Sequence, residues 1–380
     1  MAMTGTWRQG GFVLKPLHHV ALGVLALATV AGLASGAISL FGDPRAAGPR
    51  RVLSLSASAD AAARLSVSEA AIAPGQLASE DPAFYEDDPA LSGAPDPVAG
   101  GEAPRNRWPS SPLPKAPLTG FYQPGPNGPL PIVTPDGRTP GRAYSRPFNG
   151  DASQPKIAIV LGGLGFNARA TQAAIDELPP DVTLSFVPYT ADLQSWIDRA
   201  RARGHEVLIE LPMEPFDPEA DDTGPQTLLS AAPARENVAR LEHILSRASG
   251  YFGVTNYQGA RFAASGQASA PVAQALKQRG LVFLGNALGP RTAFGVEASR
   301  AGLPFASADR ILDAQRAADK IDEQLLNLEA LALQNGSALG SGFAFPVTID
   351  QIEAWAENLA GRGYTLAPAS AVMESRTARR

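Results

Sequence analysis

Cysteine is missing from all 380 residues, and histidine occurs only four times, as His18, His19, His205 and His243. Without cysteine there is no disulfide, no thiolate zinc site and no cysteine nucleophile. The redox compartment stays open, because a cysteine-free chain is tolerated in any. Two of the histidines precede a long apolar run, which leaves two imidazoles for any metal site or acid–base pair in the C-terminal region. An excess of positive charge is also lacking. The net charge is −5, so nucleic acid is not an expected partner.

Proline and glycine are plentiful, at 34 and 37 residues, and 19 of the prolines fall between Asp43 and Gly150. Residues 42–129 show little periodicity, as in Trp108-Pro-Ser-Ser-Pro-Leu-Pro114. Such a stretch buries too little apolar area to offset its ordering entropy, so a disordered Pro/Gly/Ala-rich tether is expected there. Residues 130–154 are richer and are expected as an ordered lead-in; 373–380 are expected as a flexible tail.

Val20 to Phe41 is uncharged and 22 residues long, enough to cross about 30 Å of hydrocarbon as a helix. A signal peptide has a shorter apolar core. The pattern predicts a cytoplasmic tail at 1–19 and a retained single-pass anchor at 20–41. A short N-terminal tail followed by a long polar region favours export of the C-terminal part.

After Pro155 strand and helix alternate. Strands are expected at 156–161, 183–187, 206–211, 253–256, 281–284, 304–306, 337–339 and 365–368. Helical patterns lie at 168–178, 192–203, 234–247, 270–279, 314–334 and 349–362. Repeated β-α pairs predict a parallel sheet with right-handed crossovers, and their number suggests a closed or nearly closed barrel over 155–372.

In such barrels chemistry gathers at the C-terminal ends of the strands. Lys156-Ile-Ala-Ile-Val-Leu-Gly-Gly-Leu-Gly-Phe166 runs from a buried-strand pattern straight into a glycine turn, offering only backbone. Its glycine spacing misses the dinucleotide fingerprint, and no acid ends the second strand. Glu210-Leu-Pro-Met-Glu214 supplies two carboxylates, either an acid–base pair or cation ligands, or else one structural and one solvated group. Asn256-Tyr257-Gln258-Gly-Ala-Arg261 bundles amides, a phenol and a guanidinium that suit sugar hydroxyls; Tyr257 could equally pack in the core. Asn286 ends a further strand and joins the candidate ligand-binding set. His205 falls at a helix-to-strand turn and His243 within a helix, so a histidine-ligated zinc is not expected.

At these residues the sequence resembles the divergent polysaccharide deacetylase family of bacterial envelope proteins. The blocks are Ile157-Ala-Ile-Val-Leu-Gly-Gly-Leu-Gly165, Val182-Thr-Leu-Ser-Phe-Val-Pro-Tyr189, Gly204-His-Glu-Val207, Leu211-Pro-Met-Glu-Pro215, Gly224-Pro-Gln-Thr-Leu228, Gly253-Val-Thr-Asn-Tyr-Gln-Gly-Ala-Arg-Phe262 and Gly340-Ser-Gly-Phe-Ala-Phe-Pro346. The resemblance implies an α/β fold, a distorted (β/α) barrel of the polysaccharide deacetylase type, and an envelope location, with the anchor in the inner membrane and the C-terminal domain in the periplasm. It also implies a metal held by carboxylate and histidine that activates water against an acetyl group. The family's first-strand aspartate pair corresponds here to Gly162 and Gly163. A histidine after Asn256 is Tyr257, an aspartate ending the fifth strand is Gly285, and a histidine near the seventh strand end is Phe343. The position before Leu211, often His, is Glu210. Glu214, Asn256, Arg261 and Asp313 match.

These departures fall together where one site would converge. No metal and no cofactor are therefore expected, and the barrel reads as a degenerate deacetylase. It would act as a glycan-binding or regulatory module, with Asn256, Tyr257, Gln258, Arg261 and Asn286 as ligand-binding candidates. Glycan or peptidoglycan fragments and a cell-wall protein are the expected partners. Two alternatives stand: a deacetylase or hydrolase built on Glu210, Glu214 and Asp313, and a structural partner-binding scaffold.

Overall fold

The computed structural model describes residues 108–151 and 153–377. The expected tail, the membrane segment and the tether as far as residue 107 lie outside the described residues. Among the described residues no helix is long and apolar enough to cross a membrane.

The N-terminal part of the described chain differs from expectation. Residues 108–129, assigned to the tether, lie along the domain. Trp108 Nε1 donates to the Glu177 carbonyl at 2.8 Å, and the Leu113 amide donates to the Arg201 carbonyl at 2.9 Å. A short antiparallel hairpin follows, β1 (Tyr122–Pro124) with β2 (Pro129–Pro131), then α1 (Pro140–Ala143). The buried Arg201 guanidinium donates to the carbonyls of Pro114, Tyr144 and Gly250. A proline-rich chain has few N–H groups but keeps its carbonyls, and one buried cation gathers them. Composition does not reveal that arrangement. Burial lowers the Arg201 pKa to about 10, so it stays charged at neutral pH.

The remaining elements alternate. They are β3 (Lys156–Leu164), α2 (Ala168–Glu177), β4 (Thr183–Phe186), α3 (Leu193–Ala202), β5 (Val207–Met213), α4 (Ala234–Leu245), β6 (Gly253–Gln258), α5 (Ala260–Ala264), α6 (Gly266–Gln278), β7 (Val282–Gly285), α7 (Ala293–Ala301), β8 (Phe305–Ser307), β9 (Arg310–Ile311), α8 (Ala318–Asn335), β10 (Ser337–Phe343), α9 (Pro346–Leu359), β11 (Thr365–Leu366) and α10 (Ala369–Thr377). The strands form one parallel sheet in the order β8-β7-β6-β5-β4-β3-β10-β9, with β11 beside β3. Its two end strands belong to one continuous segment. Residues 305–307 pair with β7 and residues 310–311 with β10. Between them the Ala308 amide donates to the Gly285 carbonyl and the Asp309 amide to the Leu339 carbonyl. The parallel sheet thus curls into a half-barrel whose two end strands follow one another in the chain.

The core follows from the two-residue period of each strand. In β3, Ile157, Ile159 and Leu161 face the helices, while Ala158 and Val160 join Leu208, Leu284 and Leu339 in the inner cluster. Both faces are buried, which accounts for the uninterrupted apolar run. Helix starts use side-chain caps: the Asn167 carboxamide accepts the Ala170 amide, and Ser265 caps α6.

The far end of the barrel is also closed by polar bonds. Buried Glu206 accepts from Thr183 Oγ1 and from both the amide and hydroxyl of Ser370, which docks α10. The tail expected from residue 373 is a correction: Met373 is buried and α10 runs to Thr377. His205 lies at this end, its ring nitrogens beside the carbonyls of Val182 (2.9 Å) and Ile175 (3.2 Å), and burial lowers its pKa.

Candidate functional site

Glu210 sits one alternation beyond Leu208 on β5, so its side chain turns into the barrel mouth. Its Oε1 accepts the Gly163 amide at 2.6 Å. That amide is presented by an irregular strand end: the β3–β4 register shifts between Leu161 and Leu164, and Gly163 has φ of 73°. A Cβ on Gly162 would lie 2.8 Å from Glu210 Oε1. The Glu210 carboxylate therefore occupies the room a side chain at 162 would need.

Glu210 Oε2 is buried and has no hydrogen-bond partner. The same holds for Ser185 Oγ and Thr255 Oγ1. Thr255 is the register partner of Glu210 across β5 and β6. The Ser185 hydroxyl is near enough to ease the carboxylate's ionisation without a well-formed hydrogen bond to it. Burial dominates nonetheless and raises the Glu210 pKa to about 7. These groups line a cavity of about 10 Å³, with Tyr257, Asn286 and Phe343 completing it. That volume holds one water-sized group.

Outside it lies an open groove of about 490 Å³, which Glu210 and Tyr257 also line. Phe166, Tyr189 and Tyr257 supply aromatic rings, and the loop after β5 supplies Glu219, Asp221 and Asp222. Tyr189 pins that loop: its hydroxyl accepts the Gln226 amide at 3.0 Å and donates to the Thr223 carbonyl at 3.3 Å. A larger cleft, of about 880 Å³, runs along residues 307–315. There Asp309 is paired with Arg376 and Lys320 with Glu323, and none of its lining groups is a buried orphan. Three of the unsatisfied buried oxygens gather at the barrel mouth, and a further one, Thr190 Oγ1, lies in the loop after β4.

Among the sequence candidates, Glu210, Asn256, Tyr257 and Asn286 come together around the inner cavity. Asn256 is a clamp there, accepting the Asn286 amide and donating to the carbonyls of Gln258 and Asn286. Asn286 in turn accepts the Ser341 hydroxyl at 3.0 Å. Gln258 reaches the groove rim and donates to Asp221. Arg261 lines neither space. It is exposed, donates to the Phe216 carbonyl and lies 3.9 Å from Glu214.

The three carboxylates considered as a reacting set are not assembled. Glu214 Oε2 accepts the Ser230 amide at 2.6 Å, fastening the loop after β5. Asp313 accepts the Phe343 amide and the Thr348 hydroxyl, joining β10 to α9, and burial raises its pKa to about 6. Neither lines the cavity or the groove. Sequence reasoning passed over Ser185, Thr255, Phe166 and Tyr189. The available signal was a hydroxyl in an otherwise apolar strand, as in Val182-Thr-Leu-Ser-Phe-Val187.

The donor set does not suit a catalytic zinc, which takes about three protein ligands. At the mouth Glu210 is one carboxylate beside two hydroxyls, and among the described residues no group of three His, Cys, Asp or Glu could hold a metal ion. A Cβ at Gly285 would fall 2.5 Å from the Leu288 carbonyl oxygen, so backbone fills that side.

Residues 159–373 match the divergent polysaccharide deacetylase family. An uncharacterized protein of Haemophilus influenzae is 26% identical over 208 residues, which span 54% of this chain and 73% of that protein. The uncharacterized protein YibQ of Escherichia coli is 24% identical over 209 residues, 54% of this chain and 63% of its own length. The crystal structure of uncharacterized protein ATU2773 from Agrobacterium tumefaciens superposes with a TM-score of 0.63 at 38% identity, covering 64% of this chain and 99% of that one.

Proposed function

We propose that this chain, which belongs to the divergent polysaccharide deacetylase family, binds a glycan strand at its barrel mouth and does not deacetylate it. One observation carries the proposal: Glu210 fills the space a side chain on Gly162 would use, leaving a single carboxylate where a metal needs several ligands. The groove supports binding by itself. Its three aromatic rings offer faces for sugar rings, and its carboxylates meet hydroxyls. A place in the bacterial envelope, anchored through residues 20–41 with the barrel in the periplasm, belongs to the same proposal.

The test combines calorimetry with turnover. The full chain is titrated with peptidoglycan glycan fragments, and Tyr257→Ala is expected to weaken binding about tenfold or more, as loss of a stacking ring does. Acetate release from the same fragments is expected to stay at background with or without added zinc. Zinc-dependent acetate release overturns the non-catalytic reading. No binding of any fragment favours a protein-binding scaffold.

A second reading has one observation in its favour. A buried carboxyl with a pKa of about 7, lining an open groove, is poised for acid–base work. Metal-independent hydrolysis that disappears in Glu210→Gln would establish it.

A further inference from the structure

The inner cavity has a chemical polarity that the groove alone does not explain. Its three unpartnered atoms, Glu210 Oε2, Ser185 Oγ and Thr255 Oγ1, are all oxygens. All three residues are at least nine-tenths buried. Leaving such atoms unpaired is costly, so the site is built to receive something. The neighbouring polar groups are already committed. Asn256 is bonded to Asn286 and Gln258, and Asn286 Oδ1 accepts from Ser341.

Size and charge restrict the occupant. About 10 Å³ admits one water-sized group, too small for an acetamide with its carbonyl and methyl. A carboxylate or phosphate would face Glu210 inside and Asp221 and Asp222 on the groove rim, with no cation lining either space. An –NH3⁺ group is close to water in size, has three donors and accepts nothing. Three N–H groups match three orphaned oxygens.

Resting on the glycan reading above, we propose that the barrel mouth recognises a free primary ammonium on an amino sugar. The glycan it holds is de-N-acetylated, and the domain reads the outcome of deacetylation. The sugar ring lies in the aromatic groove and its ammonium enters the inner cavity, where Glu210, Ser185 and Thr255 accept. Glu210 and Tyr257 line both spaces, so ring and ammonium are met by one continuous surface. An ammonium beside Glu210 also holds that carboxyl ionised, against the effect of burial.

The experiment is calorimetry on the full chain at one pH and salt concentration. Three ligands are compared: a β-1,4-linked glucosamine tetramer, its fully N-acetylated counterpart and a lysine-containing tetrapeptide. The glucosamine tetramer is expected to bind about tenfold or more tighter than either of the others, the scale of a charge-assisted hydrogen-bond set. Glu210→Gln is expected to bring the two glycans within about threefold, since one charge-assisted acceptor is lost. Should that variant not fold, Thr255→Val, nearly isosteric, is expected to narrow the same ratio. Equal or tighter binding of the acetylated tetramer overturns the ammonium site and leaves the glycan groove standing. Equal binding of the lysine peptide reduces the effect to general attraction by the acidic rim and also overturns it. Failure of both tetramers to bind removes the glycan reading itself.

Discussion

Gly162 and Glu210 share one volume: a Cβ on the glycine would lie 2.8 Å from the carboxylate Oε1, which the next residue's amide already holds. The two positions are therefore coupled. Gly162→Ala is expected to cost about 1–2 kcal/mol by displacing the carboxylate from its donor. In a Glu210→Ala background most of that cost should vanish. A double-mutant cycle of denaturation midpoints measures the difference, and additive costs would show that the two sites do not compete.

Glu210 also sets a pH dependence. Its folded pKa of about 7 lies above the ordinary carboxyl value of 4.5, so the fold prefers the neutral acid. Below pH 4.5 the carboxyl is protonated in both states and costs nothing. As pH rises from 4.5 through 7 the unfolded chain ionises first, and stability is lost. The ceiling is about 3 kcal/mol, at about 1.4 kcal/mol per pH unit. Glu210→Gln should equal the parent near pH 4 and exceed it above pH 7. A flat difference between the two across that range would contradict the assignment.

Arg201 ties the proline-rich N-terminal segment to the domain, donating to the carbonyls of Pro114 and Tyr144 on that segment and of Gly250 before β6. Arg201→Met keeps the bulk and removes every donor. About 3 kcal/mol of stability should be lost, with new proteolytic cleavage between residues 108 and 118. Unchanged protease resistance there would mean that the segment is held by packing alone.

Tyr189 ties the acidic loop to the groove through its hydroxyl. Tyr189→Phe leaves the Gln226 amide without that acceptor, at about 1–2 kcal/mol. Glycan-fragment affinity is expected to fall while the far end of the barrel is untouched. Hydrogen exchange at residues 217–227 should quicken, and exchange around Glu206 should not.

The sequence was most legible where two-face burial dictates residue type. The Ile157–Leu161 run marks a buried parallel strand, and the helical pattern expected from residue 168 starts there in the structure. Glu210, Asn256, Tyr257 and Asn286 were legible as a cluster because strand ends converge in a barrel. Arg261, a donor of the kind sugars call for, went instead to the Phe216 carbonyl, since an exposed guanidinium reaches the nearest backbone acceptor as readily as a ligand. Ser185 and Thr255 were invisible for the opposite reason. A hydroxyl inside a strand is ordinarily satisfied by a neighbour, and only the folded arrangement shows one that is not. The order of residues 108–129 eluded composition because their partners lie far along the chain, Arg201 being 87 residues downstream of Pro114.

The segment 305–311 divides its loyalty, giving its first half to β7 and its second to β10 with a bend at Ala308 and Asp309. Each neighbour receives only a few bonds from it, where an unbroken strand would give a full ladder. The curled sheet thus has a seam. Breathing of the sheet should begin along that line and reach the mouth through Asn286, just after β7, and Phe343, at the end of β10, before it reaches Glu210 on β5.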